Sequence, residues 1–361
     1  MSKKTKIALL GDIHIGCRNE SLEFQDNLEL FFSQTFFPYL REHGIKHVLQ
    51  LGDVWNDRNH SSNLMFARFK RNFLDVLDTE GIKLWIILGN HDCYSKTSLY
   101  PNAPSLYLGK SKNITVIDTP RVEKIGDHNI ACVPWICESN EAECMDFIAS
   151  HPADVIAGHF ELNNFLVVPG QEFSGSKLNA SSFQGYKEMW SGHFHLRQSR
   201  GNINYLGSCR EITWSDYSNQ KGFDVWDGES REFVVNPFKM FEVISYDDRK
   251  QNYHLLDLAK YEGKNVKVKV VHKSDAFQLD TLSDKLNRIT RKCSVLLDTP
   301  VAPLLTDETT KEQMSQMLGI DEMIRQYVAK YPFETQDLRE STLDLLMHAL
   351  TLAKTSSTAN D

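Results

Sequence analysis

One chemical pattern recurs along the first part of the chain. A short apolar run ends in glycine, and the next residue is Asp, Asn or His. Gly11-Asp12-Ile13-His14 follows residues 7–10, Gly52-Asp53 follows 48–51, and Gly89-Asn90-His91-Asp92 follows 84–88. Gly158-His159 follows 155–157, and Gly192-His193-Phe194-His195 comes just after 189–190. The glycine lets the backbone turn sharply and leaves room for a ligand at the strand end. Taken singly, each stretch has an ordinary explanation as a turn carboxylate, a helix cap or a core histidine. All of them in one order point instead to a metal centre. Carboxylate, imidazole and amide without cysteine suit Mn²⁺, Fe or Zn rather than a thiolate site. At Asp12/His14 and His193/His195 the i, i+2 spacing in extended geometry puts both side chains on one face, so two ligands can reach one ion. Two metals about 3.5–4 Å apart need a bridging carboxylate, and Asp53, midway in the ligand order, is the natural bridge.

The elements that must position these residues alternate. Residues 7–10, 48–51, 84–88, 129–133 and 155–157 are strand candidates, while 22–40 and 63–78 carry apolar residues every three or four positions and read as helices. This rhythm predicts an α/β fold of stacked sheets covered by helices, with the chemistry on loops past the carboxyl ends of strands. Residues 160–189, rich in Gly, Ser and Asn, read as a long surface excursion, and 202–243 as short β-segments. The polar stretch 246–252 marks a boundary, giving expected domains at 1–245, 253–305 and 306–353, with a disordered tail at 354–361. In the second domain Val266, Val268 and Val270 alternate with lysines as a half-exposed strand, followed by a helix at 279–291 and a strand at 293–297. The third holds helices at 319–331 and 335–353, split at Pro332.

Composition narrows the class. The 361 residues are 41% hydrophobic and 24% charged, ordinary for a globular protein. No apolar run approaches the length of about 18 residues that a membrane span needs. The opening MSKKTKIALLGD reads as a first strand rather than a signal peptide, so a cytoplasmic location is expected. Seven cysteines without CxxC spacing argue against a disulfide framework or zinc ribbon. A net charge of −8 disfavours coating of nucleic acid by bulk attraction. The second domain is nevertheless basic: Lys267, Lys269, Lys285, Arg288, Arg291 and Lys292 are candidates for phosphate contact, or simply a solvated face. Leu338, Leu345 and Leu352 recur at heptad spacing, and Leu343, Leu346 and Leu350 add a second apolar strip. Such a helix suits packing on a partner as well as on its own chain, although a plain core role fits too.

The series DxH, GD, GNHD, GH, GHxH resembles that of calcineurin-like metallophosphoesterases and covers about residues 7–195. The resemblance implies a four-layer β-sandwich flanked by helices, holding two Mn²⁺ ions (or Mg²⁺ or another divalent ion). It implies that Asp12, His14 and His195 hold one ion, that Asn90, His159 and His193 hold the other, and that Asp53 bridges. His91 would face the scissile phosphate as the catalytic acid that assists the leaving oxygen, and Asp92 would hydrogen-bond and orient it. The arginine-rich GDxxDRG segment of protein phosphatases is absent, since "GDVWNDRNHSS" places Asp57-Arg58 one residue later without the glycine. No tyrosine stands beside Asp53 as the iron ligand of purple phosphatases. "VPWICESN", "SGHFHLRQ" and "GSCREITWSD" look like nuclease subunits of SbcC–SbcD-type double-strand-break repair complexes, the phage recombination members especially. One departure is Cys209-Arg210, where that group more often has Pro and then a polar or aromatic residue. It leaves the loop's shape open and is expected to touch no ligand.

That group implies Mn²⁺-dependent 3′→5′ exonuclease activity on duplex DNA and endonuclease activity on single strands. It also implies a small domain that engages DNA, and C-terminal helices docked on the coiled-coil base of an ABC-type ATPase. A homodimer through phosphoesterase helices is a further implication, for which the apolar stretch 28–37 could serve or could equally be core; a phage origin would place the protein in the host cytoplasm. Two alternatives stand beside this reading. A small-molecule phosphodiesterase or phosphatase would use the same site without needing the basic domain or the last helices. A non-catalytic scaffold should have lost a ligand or His91, and none is lost.

Overall fold

The computed structural model describes residues 4–297 except residue 110, and in the C-terminal part residues 324–325, 327–329, 331, 333 and 335–357. The chain divides into two units, residues 1–305 and 306–361.

The apolar runs form strands buried on both faces. In the first unit β1 (Ile7–Leu10), β2 (His47–Gln50), β3 (Lys83–Ile87) and β4 (Ile114–Ile117) run parallel. The second sheet contains β5 (Arg121–Ile125), β6 (His128–Val133), β7 (Val155–Gly158), β10 (Glu188–Ser191), β11 (Gln198–Arg200) and β12 (Ile203–Tyr205) in the order β11-β12-β10-β7-β6-β5. A short hairpin of β8 (Leu166–Val168) and β9 (Gln171–Glu172) lies between β7 and β10 in the chain. Antiparallel β13 (Gly222–Trp226) and β14 (Arg231–Val235) complete the first sheet, in the order β14-β13-β1-β2-β3-β4.

Alternation along each strand divides the core. Ile7 and Leu9 of β1 join Leu49, Ile87, Ile130, Ala157 and Trp190 between the two sheets. Ala8 and Leu10 turn the other way, onto helices spanning residues 22–43 and 63–80. Each of these helices, continuous by periodicity, contains a π-helical turn, at Phe32–Phe36 and Lys70–Leu74. There the phenylalanines interlock, with Phe32 and Phe73 ring centroids 4.6 Å apart. The apolar 28–37 stretch is therefore core: Leu28, Phe31, Phe32, Phe36 and Phe37 are buried, so it is not a surface for a second copy. Residues 160–189 also differ from expectation. Leu162, Phe165, Phe173, Phe183 and Tyr186 are buried, so this segment, with helix Glu141–Ala149, covers the outer face of the second sheet rather than looping into solvent.

The small module is a three-stranded parallel sheet, β15 (Phe241–Asp247), β16 (Asn265–His272) and β17 (Lys292–Leu297), with helix Ala276–Ile289 packed on Ile244, Val266, Val268 and Val270. Its first strand begins before the polar stretch at 246–252. Residues 246–247 of that stretch end β15 and 248–252 begin the crossover to β16, so the stretch lies inside the module rather than between domains. Helix Gln336–Ser357 in the second unit runs past residue 354, where a disordered tail was expected to begin. No helix among the described residues is long and apolar enough to cross a membrane.

Candidate metal centre

The strand-end loops bring the chemistry-bearing residues of five segments together. Asp12, His14 and His195 form one group, and Asp53, His159 and His193 another, each with ligand atoms within 4.8 Å of one another. Asn90 Oδ1 joins the second group, 2.9 Å from His159 Nε2 and 3.0 Å from His193 Nδ1. The Asp53 carboxylate stands between the groups: its Oδ2 is 3.3 Å from His159 Nε2 and 3.7 Å from His14 Nε2. All seven residues are at most 6% exposed.

The backbone achieves this by turning, not by extending. His14, Asp53 and His193 have φ of 50°, 57° and 81°, a left-handed region that costs a non-glycine residue about 1–2 kcal/mol. The extended i, i+2 geometry expected for the two pairs is therefore absent. Asp12 and His14 still meet in one group, whereas His193 and His195 go to different ones. The strand-end glycines leave space that neighbouring side chains and backbone occupy. A Cβ on Gly89 would fall 2.2 Å from Asp53 Oδ1, and one on Gly192 2.3 Å from the Leu51 carbonyl oxygen.

Burial of so many ionisable groups distorts their titration. Burial pushes Asp12 up to about 7, against the pull of His159. Burial also pushes on Asp53, yet His159 and His91 hold it well below the usual carboxylate range. His159 is lowered by burial but raised more by Asp53 and Asp12, to about 9. His14 and His195 are held well below an ordinary imidazole, chiefly by burial. His14 Nε2 and His195 Nε2 face each other at 2.9 Å and can share at most one proton. Asp12 Oδ2 is buried with no hydrogen-bond partner among the described residues. Convergent lone pairs on imidazole, carboxylate and amide fit divalent cations.

His91 and Asp92 part ways. His91 is only partly buried, its ring centroid 5.0 Å from that of His14, and its Nδ1 donates to the Asn56 carbonyl oxygen at 2.5 Å. Asp92 does not touch the His91 ring, contrary to expectation. Its carboxylate accepts from the backbone N–H groups of Asp53, Val54, Trp55 and Gly89 at 2.9–3.1 Å. Asp92 thus points into the turn that carries Asp53, while the carbonyl of Asn56 sets the imidazole so that Nε2 is its free nitrogen.

Other supports have no signature in the sequence. Arg210, fully buried, donates to the carbonyl oxygens of Phe24 at 2.9 Å and His14 at 3.1 Å. The departure at Cys209-Arg210 therefore does reach a ligand-bearing residue, through its backbone. Lys221, also buried, donates to the His195 carbonyl at 2.6 Å and to Asp216 at 2.7 Å. Glu161 Oε1 lies 3.1 Å from His193 Nε2. A third group, Asp247, Asp248 and His272, is satisfied by protein partners: Asp248 accepts from His272 at the end of β16 and from Ser274 N and Asp275 N just after it, and Asp247 pairs with Arg249.

The basic candidates do not form one surface. Register places Lys267, Lys269 and Lys292 on the face of the small sheet opposite its helix, while Lys285 and Arg288 are exposed on that helix. Lys267 lies 4.0 Å from the ring centroid of Trp214, at the junction with the phosphoesterase sandwich. Arg291 is paired with Glu23 at 2.6 Å. Leu338 and Leu345 are exposed on the last helix; the side chain of Leu352 lies outside the described residues, as does most of the expected helix at 319–331.

Comparison with known proteins agrees with this geometry. The chain is 28% identical to "Exonuclease subunit 1" of Enterobacteria phage T4 over 342 residues, 94% of this chain and 96% of that one. It is 26% identical to "DNA double-strand break repair protein Mre11" of Sulfurisphaera tokodaii over 201 residues, 54% of this chain and 50% of that protein. Residues 5–208 match the calcineurin-like phosphoesterase family, and the chain belongs to that family of divalent-metal-dependent phosphoesterases.

Proposed function

We propose that the protein is a DNA nuclease whose dinuclear centre, occupied by Mn²⁺, is held by Asp12, His14 and His195 on one side and Asn90, His159 and His193 on the other, with Asp53 between. The observation that carries this reading is the pair of abutting ligand groups with His91 beside them, in a chain similar to an exonuclease subunit along most of its length and to a DNA double-strand break repair protein along about half. The bound ions would supply an activated water and neutralise charge on the phosphoryl group. The protein's own residues do the rest. Arg210, Lys221 and Asp92 fix the loops that carry His14, His195 and Asp53. His91, its Nδ1–H held by the Asn56 carbonyl, would hand a proton from Nε2 to the departing oxygen in its imidazolium form, which the arriving phosphate has to stabilise against burial.

Duplex 3′→5′ exonuclease and single-strand endonuclease activity, gated by an ABC-type ATPase docked on the last helix, complete the proposal. Exposed Leu338 and Leu345 support such docking. A homodimer would use exposed Leu64, Leu106 and Tyr107, which lie on two neighbouring helices with Phe66 and Tyr107 rings 5.2 Å apart. The test is incubation with Mn²⁺ or Mg²⁺ and end-labelled duplex and single-stranded DNA, with and without an added ATPase. Cleavage is expected; turnover of small phosphodiesters with intact DNA under every condition would refute the proposal.

A further inference from the structure

Beside the His159 and His193 side of the centre lies a recess of about 320 Å³. That volume is at the small end of the range for small-molecule sites, about 300–1,000 Å³. Trp135 lines it, with its ring centroid 5.4 Å from that of His193 and 6.1 Å from that of His159. The loop holds Trp135 in place: its backbone N–H donates to the Leu88 carbonyl at 2.7 Å, and its own carbonyl accepts from Asn140 at 3.0 Å. The indole Nε1 is buried with no hydrogen-bond partner among the described residues, so the ring rather than its N–H is what the recess is offered. Met145 and Leu178 extend the apolar lining, while Glu138, Glu141 and Glu161 add charge. The one lysine there, Lys177, is paired with Glu141 at 2.6 Å. An excess of carboxylate repels a backbone phosphate. A neutral, planar base stacks on an indole whatever its identity.

Resting on the nuclease reading, we propose that this recess receives the unpaired base of the nucleotide whose phosphate is at the metal centre. His91 packs against His14, at the other end of the centre, so the oxygen it assists departs away from the recess. The base in the recess therefore belongs to the nucleotide that keeps the phosphate. The recess accommodates one base and not a paired duplex end, which has to fray before it reacts.

The test is fluorescence of 2-aminopurine in single strands, placed at the 3′ end, at the 5′ end or in mid-strand, titrated with the full-length protein in Ca²⁺ to slow cleavage. The wild type is expected to quench one terminal probe. In Trp135→Ala that quenching should fall roughly fivefold or more, and Trp135→Phe should restore most of it. Met145→Trp, which fills the recess from the helix side, should abolish it without removing the indole. Equal terminal quenching in all four proteins, or none in the wild type while it cleaves DNA in Mn²⁺, overturns the recess and leaves the nuclease reading intact. A wild type that cleaves no DNA overturns both.

Discussion

Each candidate ligand here is one polar side chain at the end of an apolar strand, and its value depends on neighbours far away in sequence. Asp53 shows this best. Its Oδ2 faces imidazoles from two groups, and its Oδ1 accepts from the His91 backbone N–H at 2.8 Å. Asp53→Ala should therefore leave at most one tightly bound ion, as counted by calorimetric Mn²⁺ titration; retention of two would refute the bridge. His91 lies outside the ligand groups, so His91→Ala should bind two ions as the wild type does. Its cleavage rate should fall about 10²–10⁴-fold. Equal loss of metal and of rate would make His91 a ligand instead.

Loops and strands set those residues by backbone hydrogen bonds more than by side-chain contact. Asp92 receives four backbone N–H groups from two loops, so Asp92→Ala leaves several buried donors unpaired. A loss of about 3–5 kcal/mol in urea denaturation is expected, with metal binding weakened because the turn at Asp53 loosens. Glu211 does similar work at the join to β15, where its Oε2 accepts from the N–H groups of Met240 at 2.6 Å and Phe241 at 2.9 Å. Burial pushes Glu211 up from 4.5 to about 7. A carboxyl raised on folding favours the folded state while protonated, so its contribution falls as pH rises from about 4.5 to about 7 and is flat above. Glu211→Gln, which keeps an acceptor and cannot ionise, should gain on the wild type across that window by up to about 3 kcal/mol. A difference between the two that does not vary with pH would show that burial does not control this group.

For the whole molecule, a net charge of −8 has to coexist with the polyanion binding that the proposed nuclease function requires. The open face of the small sheet, with Lys269 and Lys292 beside Ser245 and Ser294, adjoins the 207–216 loop that braces the metal centre. Reversing both lysines to Glu should weaken DNA binding and reduce its salt slope by about 2. Reversing Lys285 and Arg288, on the far side of the module, should change it less. The opposite ranking, measured by fluorescence anisotropy against salt, would put DNA on the helical face.

The residues that converge at the candidate metal centre could be picked out in the sequence because strand-end chemistry leaves a local mark: an apolar run, a glycine, then a polar ligand type. Most of the strands and the two long helices were legible for the same reason, since burial imposes a period on the residues within each element. What only the tertiary structure decided were relations between segments with no shared period. The sequence could not show that Asp92 serves the Asp53 turn while a carbonyl orients His91. Nor could it show that Arg210 and Lys221 are buried braces, that residues 160–189 cover a sheet, or that five of the six basic candidates split between two faces while Arg291 pairs with Glu23. A buried cation or a turned backbone is selected by the partner it meets after folding, and nothing in its immediate neighbours records that partner.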